Sequence, residues 1–165
     1  MKIKLRALAS GAMIAALYAV LTVMMAPISY GPVQFRVSEA LTLLPWFLPE
    51  AVPGLFLGCV IANFFGEYGA VDMIAGSCAT LIAAVLTRRM PTLWAAAVPP
   101  VLMNMIVIGG MLHVLLELPL LATCSYVGVG EAGACFLVGV PLMMALERRG
   151  VLMRCPAPDA VKYGK

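Results

Sequence analysis

From Ala7 to Ile28 the chain carries no charged residue. A run of that length is enough to cross a bilayer as a helix at about 1.5 Å per residue. Further apolar stretches follow it to about Leu146. The sequence as a whole is 63% hydrophobic and 12% charged over 165 residues, with a mean hydropathy of +1.02. A soluble domain carries about a quarter charged residues, so this chain cannot dress a water-facing surface with what it has. The expectation is an all-α integral membrane protein, a six-transmembrane-helix bundle formed as one domain over residues 1–149, with a cytoplasmic tail over 150–165. Lys2, Lys4 and Arg6 precede the first run as in a signal peptide, but the run is as long as a full span and is expected to stay in the protein.

The spans are punctuated by proline and glycine. Span one covers about Ala7 to Ile28, and its Gly11, Ala15 and Ala19 recur at i, i+4, i+8, with Ala12 and Ala16 in a parallel row. Small residues in such rows let helices approach closely in lipid, either inside the bundle or against a second membrane protein. Tyr30-Gly31-Pro32 signals a turn within the connection 29–37. Span two is expected from Ser38, as its N-cap, to about Leu48, kinked at Pro45, and span three from about Gly54 to Phe65. Both are too short to cross about 30 Å alone, so they should be tucked against longer helices or thin the bilayer. Spans four, five and six are placed at about Val71–Leu86, Leu93–Glu117 and Val127–Leu146, with Pro99-Pro100 expected to kink the fifth.

Six spans put both termini on one side. That side then holds Lys2, Lys4, Arg6, Arg88, Arg89, Arg148, Arg149, Arg154, Lys162 and Lys165, and the other side Arg36. The positive-inside rule makes both termini cytoplasmic. The outward half then contains Glu39, Glu67, Asp72, Glu117 and Glu131, joined by Gln34, Ser77, Asn104 and His113. Ionisable groups at membrane depth are costly and face a cavity or one another, so a set converging on one mouth reads as a binding pocket. Each has a plainer reading beside it. Glu39 neutralises Arg36 across one helical turn, or meets a ligand. His113 and Glu117, at i and i+4, pair locally or do the same. Asp72 serves the start of its helix or acts as a counter-ion. Asn104 satisfies its amide on another helix or on the ligand. Glu131 stands between Gly130 and Gly133 with no basic neighbour in sequence, and ligand contact is favoured there. Among the aromatics, Trp46 is read as core or lipid belt, and Phe35 and Tyr30 as candidates to cover a planar ligand.

Several classes are excluded by signature. There is no GxxxxGK[ST] phosphate loop and no HExxH. The five cysteines show no CxxC or Cys/His spacing, so they are read as small packing residues, with a Cys124–Cys135 disulfide as the alternative. No cofactor, metal, catalytic set or nucleic-acid partner is expected. A small membrane binder that takes its energy from partner subunits fits best.

The block from Ala26 to Leu41, APISYGPVQFRVSEAL, resembles the QueT family, as do Pro49–Cys59 with Asn63, Asp72, Ser77 and Thr80, Asn104, and Gly130-Glu131 with Gly139. The resemblance runs to about Leu146. It implies a substrate-binding S-component of an energy-coupling factor transporter for queuosine precursors, which are 7-deazaguanine bases. The ligand would sit near the outer face under the connection between spans one and two. The bundle would dock on a transmembrane T-component coupled to two ATPase subunits, through an AxxxA row that either Ala12/Ala16 or Ala15/Ala19 satisfies. The expected location is the bacterial cytoplasmic membrane. Against such a base, Glu131 is assigned to the donor edge, Asn104 or Gln34 to the carbonyl, Phe35 or Tyr30 to the ring, and Asp72 or Glu117 to a ligand cation. The same fold serving another nutrient such as a vitamin is the alternative, as is a stand-alone ion-coupled transporter using Glu131 or His113.

Overall fold

The computed structural model describes residues 5–29, 35–66 and 68–153. Among the described residues six longer helical elements follow one another, with a single helical turn, Ala26–Ser29, between the first two: α1 (Leu5–Met24), α2 (Val37–Trp46), α3 (Ala51–Phe64), α4 (Gly69–Thr87), α5 (Leu93–Leu116) and α6 (Leu120–Arg148). No strand occurs among the described residues. Four of the six, α1, α4, α5 and α6, are long and apolar enough to cross a membrane. Large apolar side chains stand exposed on their outer faces, among them Met13 and Val20 on α1, Ile74 on α4, Ile106 on α5 and Leu137 on α6. A continuous greasy exterior of this kind suits a lipid solvent.

α1 packs on α3, α3 on α4, α4 on α5 and α5 on α6, and α2 lies inside that arc, touching α1, α3, α4 and α6. The short second span is therefore tucked in, and it differs in kind from the kinked α-helix expected. It is a 3₁₀-helix along its whole length. Pro45 cannot give an N–H to the turn before it, and the 3₁₀ winding has a practical gain in reach. At about 2.0 Å rise, ten residues cover roughly 20 Å, against roughly 15 Å as α-helix. Ser38 does not cap α2. The residue at the N-cap position is Arg36, with extended backbone and no side-chain cap, and Ser38 Oγ instead meets Thr22 Oγ1 at 2.6 Å.

The small residues of α1 divide between two faces. Ala15 and Ala19 are buried, whereas Ala12 and Ala16 are exposed. The buried row lies against α3, where a Cβ built on Gly58 would sit 2.8 Å from Ala15 O and one on Gly54 2.6 Å from Gly11 O. Backbones this close leave room for hydrogen only. On the next interface, Asn63 Nδ2 donates to Asp72 O at 3.1 Å, and Gly76 gives the Asn63 side chain its space.

α5 starts with a separate turn, Leu93–Ala96, capped by Thr92 Oγ1, which accepts from Ala95 N at 3.1 Å. Pro99 and Pro100 fall in the first turn of the segment that follows and are tolerated there. α5 ends at Glu117, which turns left-handed with φ 55°. α6 then starts at Leu120 and not at Val127, because Pro119 sets the entry and Thr123 Oγ1 folds back onto Leu120 O at 2.9 Å. Glu131 thus lies deep in α6, not one turn inside it. Residues 133–139 of α6 form a π-helical stretch. Pro141 lies two residues after its end, so its missing N–H and its ring disfavour α-winding of the turn before it.

One end of the bundle gathers the N-terminus of α1, the α2–α3 connection, the α4–α5 connection and the end of α6. There Gly11 approaches Glu50 O, the Trp46 indole donates to Met90 O at 2.9 Å and Thr87 Oγ1 donates to Ala96 O at 2.9 Å. Trp46 is thus a core residue, as read. Arg6, Arg88, Arg89, Arg148 and Arg149 all belong to this end, and Arg36 to the opposite one. The cysteines 59, 78, 124 and 135 are free thiols, so the Cys124–Cys135 pairing does not form.

Overpacking at such contacts costs about 1–3 kcal/mol. Gly54→Ala is therefore expected to lower the thermal unfolding midpoint of the purified protein in detergent by several degrees. Gly110→Ala, where an added Cβ meets nothing within 4 Å, is expected to leave it unchanged or slightly raised. Equal midpoints for the two variants would contradict the packing described.

Candidate functional site

Helical periodicity aims polar side chains from every element at the centre. α1 contributes Tyr18 and Thr22, one turn apart. α2 contributes Ser38, Glu39 and Thr42. α3 adds Cys59 and Asn63, α4 adds Asp72, Ser77 and Thr80, α5 adds Asn104, and α6 adds Glu131 and Cys135. All are buried, and so is Arg36, which precedes α2. Asp72 and Asn63 stand near the end opposite the arginines, and Asn104 and Glu131 near mid-helix, so the polar set runs from that end to the middle of the bundle.

Glu39 is 1% exposed and sits at the centre. The Tyr18 hydroxyl donates to Glu39 Oε1. Thr42 Oγ1 donates to the Glu39 carbonyl at 2.5 Å, closing the 3₁₀ turn. Cys135 reaches the same carbonyl at 3.7 Å and Glu131 Oε1 at 3.9 Å, bridging α2 to α6. Asn104 Nδ2 donates to Glu131 Oε1 at 2.8 Å, which ties α5 to α6 and sets the orientation of that carboxyl group. The carboxyl groups of Glu39 and Glu131 also lie within hydrogen-bonding reach of each other.

The one ion pair among the described residues joins Arg36 Nη2 to Asp72 Oδ2 at 3.4 Å. Arg36 Nε also donates to Ser29 O at 3.3 Å. The direct contact of Arg36 is with Asp72 on α4, while its charge also acts on Glu39, the neutralising role expected across one helical turn. Asp72 is accordingly the partner of Arg36. Further along the same wall, Cys59 Sγ accepts from Asn63 Nδ2 and from Thr80 Oγ1, both at 3.4 Å.

Among the described residues, five buried side-chain polar atoms show no hydrogen-bond partner: Ser29 Oγ, Glu39 Oε2, Asn63 Oδ1, Asp72 Oδ1 and Ser77 Oγ. Buried polar groups are satisfied in the great majority of cases, and an isolated one costs about 1–3 kcal/mol. Of the five, Asn63 Oδ1 can only accept, as do the Glu39 and Asp72 oxygens when ionised.

Of the residues singled out from sequence, Arg36, Glu39, Asp72, Ser77, Asn104 and Glu131 are buried in the interior. Phe35 is half-buried, with its ring against Gly133 at the start of the π stretch, where a Cβ would meet it at 2.9 Å. Two stand apart: Glu117 is exposed at the C-terminus of α5, and His113 Nδ1 lies 2.5 Å from Leu118 O, closing the same helix end. They therefore form no local pair with each other. Tyr30, Gln34 and Glu67 lie outside the described residues. The sequence reading left Tyr18, Thr22, Ser38, Thr42 and Cys135 out of the site. Their signal is polar or thiol groups one turn apart on helices whose other residues are apolar.

The sequence profile of the family described as QueT transporter matches residues 8–148. The chain belongs to the QueT transporter family. It is also 42% identical over 73 residues to the Queuosine precursor transporter QueT of Lactococcus lactis subsp. cremoris (strain MG1363). That match covers 43% of this chain and 43% of the relative. No solved structure matches. As a member of a transporter family with four long apolar helices, the chain is a multi-pass membrane protein.

Leaving one partner of a buried ion pair alone costs about 3–5 kcal/mol. Arg36→Met is expected to destabilise the protein by that order, measured as a drop in the midpoint of chemical unfolding in mixed micelles. Combining it with Asp72→Leu should recover most of the loss. A single variant as stable as the parent would show that the pair does not hold the site together.

Proposed function

We propose that this chain is the substrate-capturing membrane subunit of an energy-coupling factor importer, and that it binds a queuosine precursor, a 7-deazaguanine base. The buried pairing of Asn104 with Glu131 carries this reading. A guanine-like edge presents a ring N–H and an exocyclic NH₂ side by side, which suits a carboxylate accepting two charge-assisted bonds. Asn104 fixes the orientation of that carboxylate from behind. Phe35, beside Gly133, supplies an apolar ring at the rim for the flat face of the base. The name of the Lactococcus relative, a queuosine precursor transporter, supports the same substrate class.

The arginines at one end support a topology with both termini in the bacterial cytoplasm and six membrane-embedded elements. The end carrying Arg36, Asn63 and Asp72 then faces outward, and the base enters from there. The chain has no phosphate loop, and its energy would come from two ATPase subunits through a transmembrane T-component. Ala12 and Ala16 are the outward row of α1, so docking falls to them rather than to Ala15 and Ala19, which are spent on α3. An apolar groove of about 280 Å³ between α1 and α3, lined by Ala7, Leu8, Gly11, Ala12, Pro53 and Leu57, adjoins that row.

Titration calorimetry of the purified protein with 7-deazaguanine bases tests the substrate class. Glu131→Gln is expected to weaken binding tenfold or more, since it replaces one of the two acceptors with a donor. Unchanged affinity would remove Glu131 from the pocket, and no binding by the parent protein would end the substrate reading.

A further inference from the structure

We propose that the groove between the start of α3 and the end of α4 holds the phosphate of an anionic phospholipid, with Arg88 and Arg89 as its receptors. The groove lies at the arginine-bearing end of the bundle, away from the buried polar set, and uses none of the residues assigned to the transported ligand.

Helix length sets the level of this groove. α4 has 19 residues, which rise about 28 Å at 1.5 Å per residue, close to the thickness of the hydrocarbon layer. Arg88 and Arg89 follow its last residue and so stand at the depth of the headgroups. Trp94, exposed a few residues later, belongs to the same level. Arg88 continues the right-handed helical backbone past Thr87, so Val85, Arg88 and Arg89, at i, i+3 and i+4, share one face. Pro49 and Val52 stand across from them, before and inside the first turn of α3. These residues line a groove of about 150 Å³.

Its chemistry is that of a phosphate set on an apolar floor. The guanidinium fork matches phosphate oxygens two at a time. Neither arginine forms an ion pair among the described residues. The neighbouring carboxylate, Glu50, lines the groove on the α1 side, so no acid lines this one. The first backbone N–H groups of α3 are already used, Ala51 on Leu48 O and Val52 on Pro49 O, and anion recognition falls to the arginines. The groove is smaller than the roughly 300 Å³ at which pockets for whole organic ligands begin. It suits a headgroup whose acyl chains run on over Val52 and Val85, and basic pockets between membrane helices are of the kind that anionic lipids fill. A free phosphate ion would leave the apolar floor unused. Arg148 and Arg149 carry the same charge at the same end, but among the described residues α6 alone lines the groove beside them. An anion there is held from one side.

The experiment is native mass spectrometry of the purified full chain in detergent, titrated with phosphatidylglycerol and with phosphatidylcholine, and repeated with inorganic phosphate as competitor. The parent protein is expected to bind one phosphatidylglycerol at least fivefold more tightly than phosphatidylcholine. Arg88→Gln with Arg89→Gln should abolish that preference, whereas Arg148→Gln with Arg149→Gln should keep it within about twofold, both with unchanged elution profile and helical circular dichroism. Val85→Phe fills the floor without altering the charge and should weaken phosphatidylglycerol binding several-fold, so the test survives if the arginine variants fail to fold. Equal binding of the two lipids by the parent overturns the proposal, as does undiminished binding by Val85→Phe. Equal loss from the two arginine pairs overturns the groove in favour of general surface charge. Displacement of the lipid by an equal concentration of inorganic phosphate overturns the lipid as occupant and leaves a simple anion site.

Discussion

The structure depends on a polar 3₁₀-helix being held inside an apolar bundle. α2 is buried nearly all round, and it carries Ser38, Glu39 and Thr42 into a region with no bulk water. In such a medium each polar group must find its partner in the protein. The identities of the facing residues follow from that requirement. Tyr18 is on α1 because Glu39 needs a donor, Thr22 meets the Ser38 hydroxyl, and Cys135 lies over the Glu39 carbonyl. Arg36 leaves the helix axis to serve Asp72, which lets Glu39 turn inward toward α6 instead of closing on its own neighbour.

Close helix packing makes that interior deep enough to hold a polar set. α1 and α3 approach until Gly54 and Gly58 have no room for a methyl group. Small residues supply association in lipid, where helices gain no hydrophobic drive against one another. The glycine contacts also set the rotation of α3, which turns Cys59 and Asn63 toward the centre and leaves Leu57 and Ile61 outside. Packing at the periphery thereby positions chemistry at the core.

Much of this was legible in the sequence because it follows from composition and periodicity. An uncharged run such as Ala7–Ile28 dictates a helix in lipid, and the crowding of arginines at residues 88–89 and 148–149 dictates which ends lie together. Glu131 and Asn104 stood out because a carboxyl and an amide in apolar helices must be accounted for. What escaped was three-dimensional pairing. Spacing put Glu39 near the charge of Arg36, but not the direct contacts: extended backbone at Arg36 takes its guanidinium to Asp72, and Glu39 receives its bond from Tyr18. Tyr18 was left out of the site because a tyrosine in a membrane helix is ordinary until its hydroxyl is seen to meet a buried carboxyl group. The start of α6 was misplaced because Thr123, Cys124 and Ser125 resemble a polar connection, although their side chains are small enough for a helix to carry.

The π stretch of α6 solves a geometric problem that the same residues create. Val127, Glu131, Cys135, Gly139 and Met143 recur every four residues, and all five are buried. In an α-helix a step of four residues overshoots a full turn by about 40°, so over four steps such a row would wind well round the helix and out toward lipid. A π turn is wider and takes up an additional residue. Placed at 133–139, it rotates the later part of the row back toward α2. Gly139 then fits against the Ala40 backbone, where a Cβ would lie 3.2 Å away, and Gly133 admits the Phe35 ring. The two departures from α-geometry therefore belong together: the 3₁₀ element lengthens a short segment to carry Glu39 inward, and the π stretch keeps α6 facing it along its length. Because each winding is held by the other's packing, the two carboxyl groups are fixed on stiff, mutually supporting backbone, as recognition of a small rigid ligand requires.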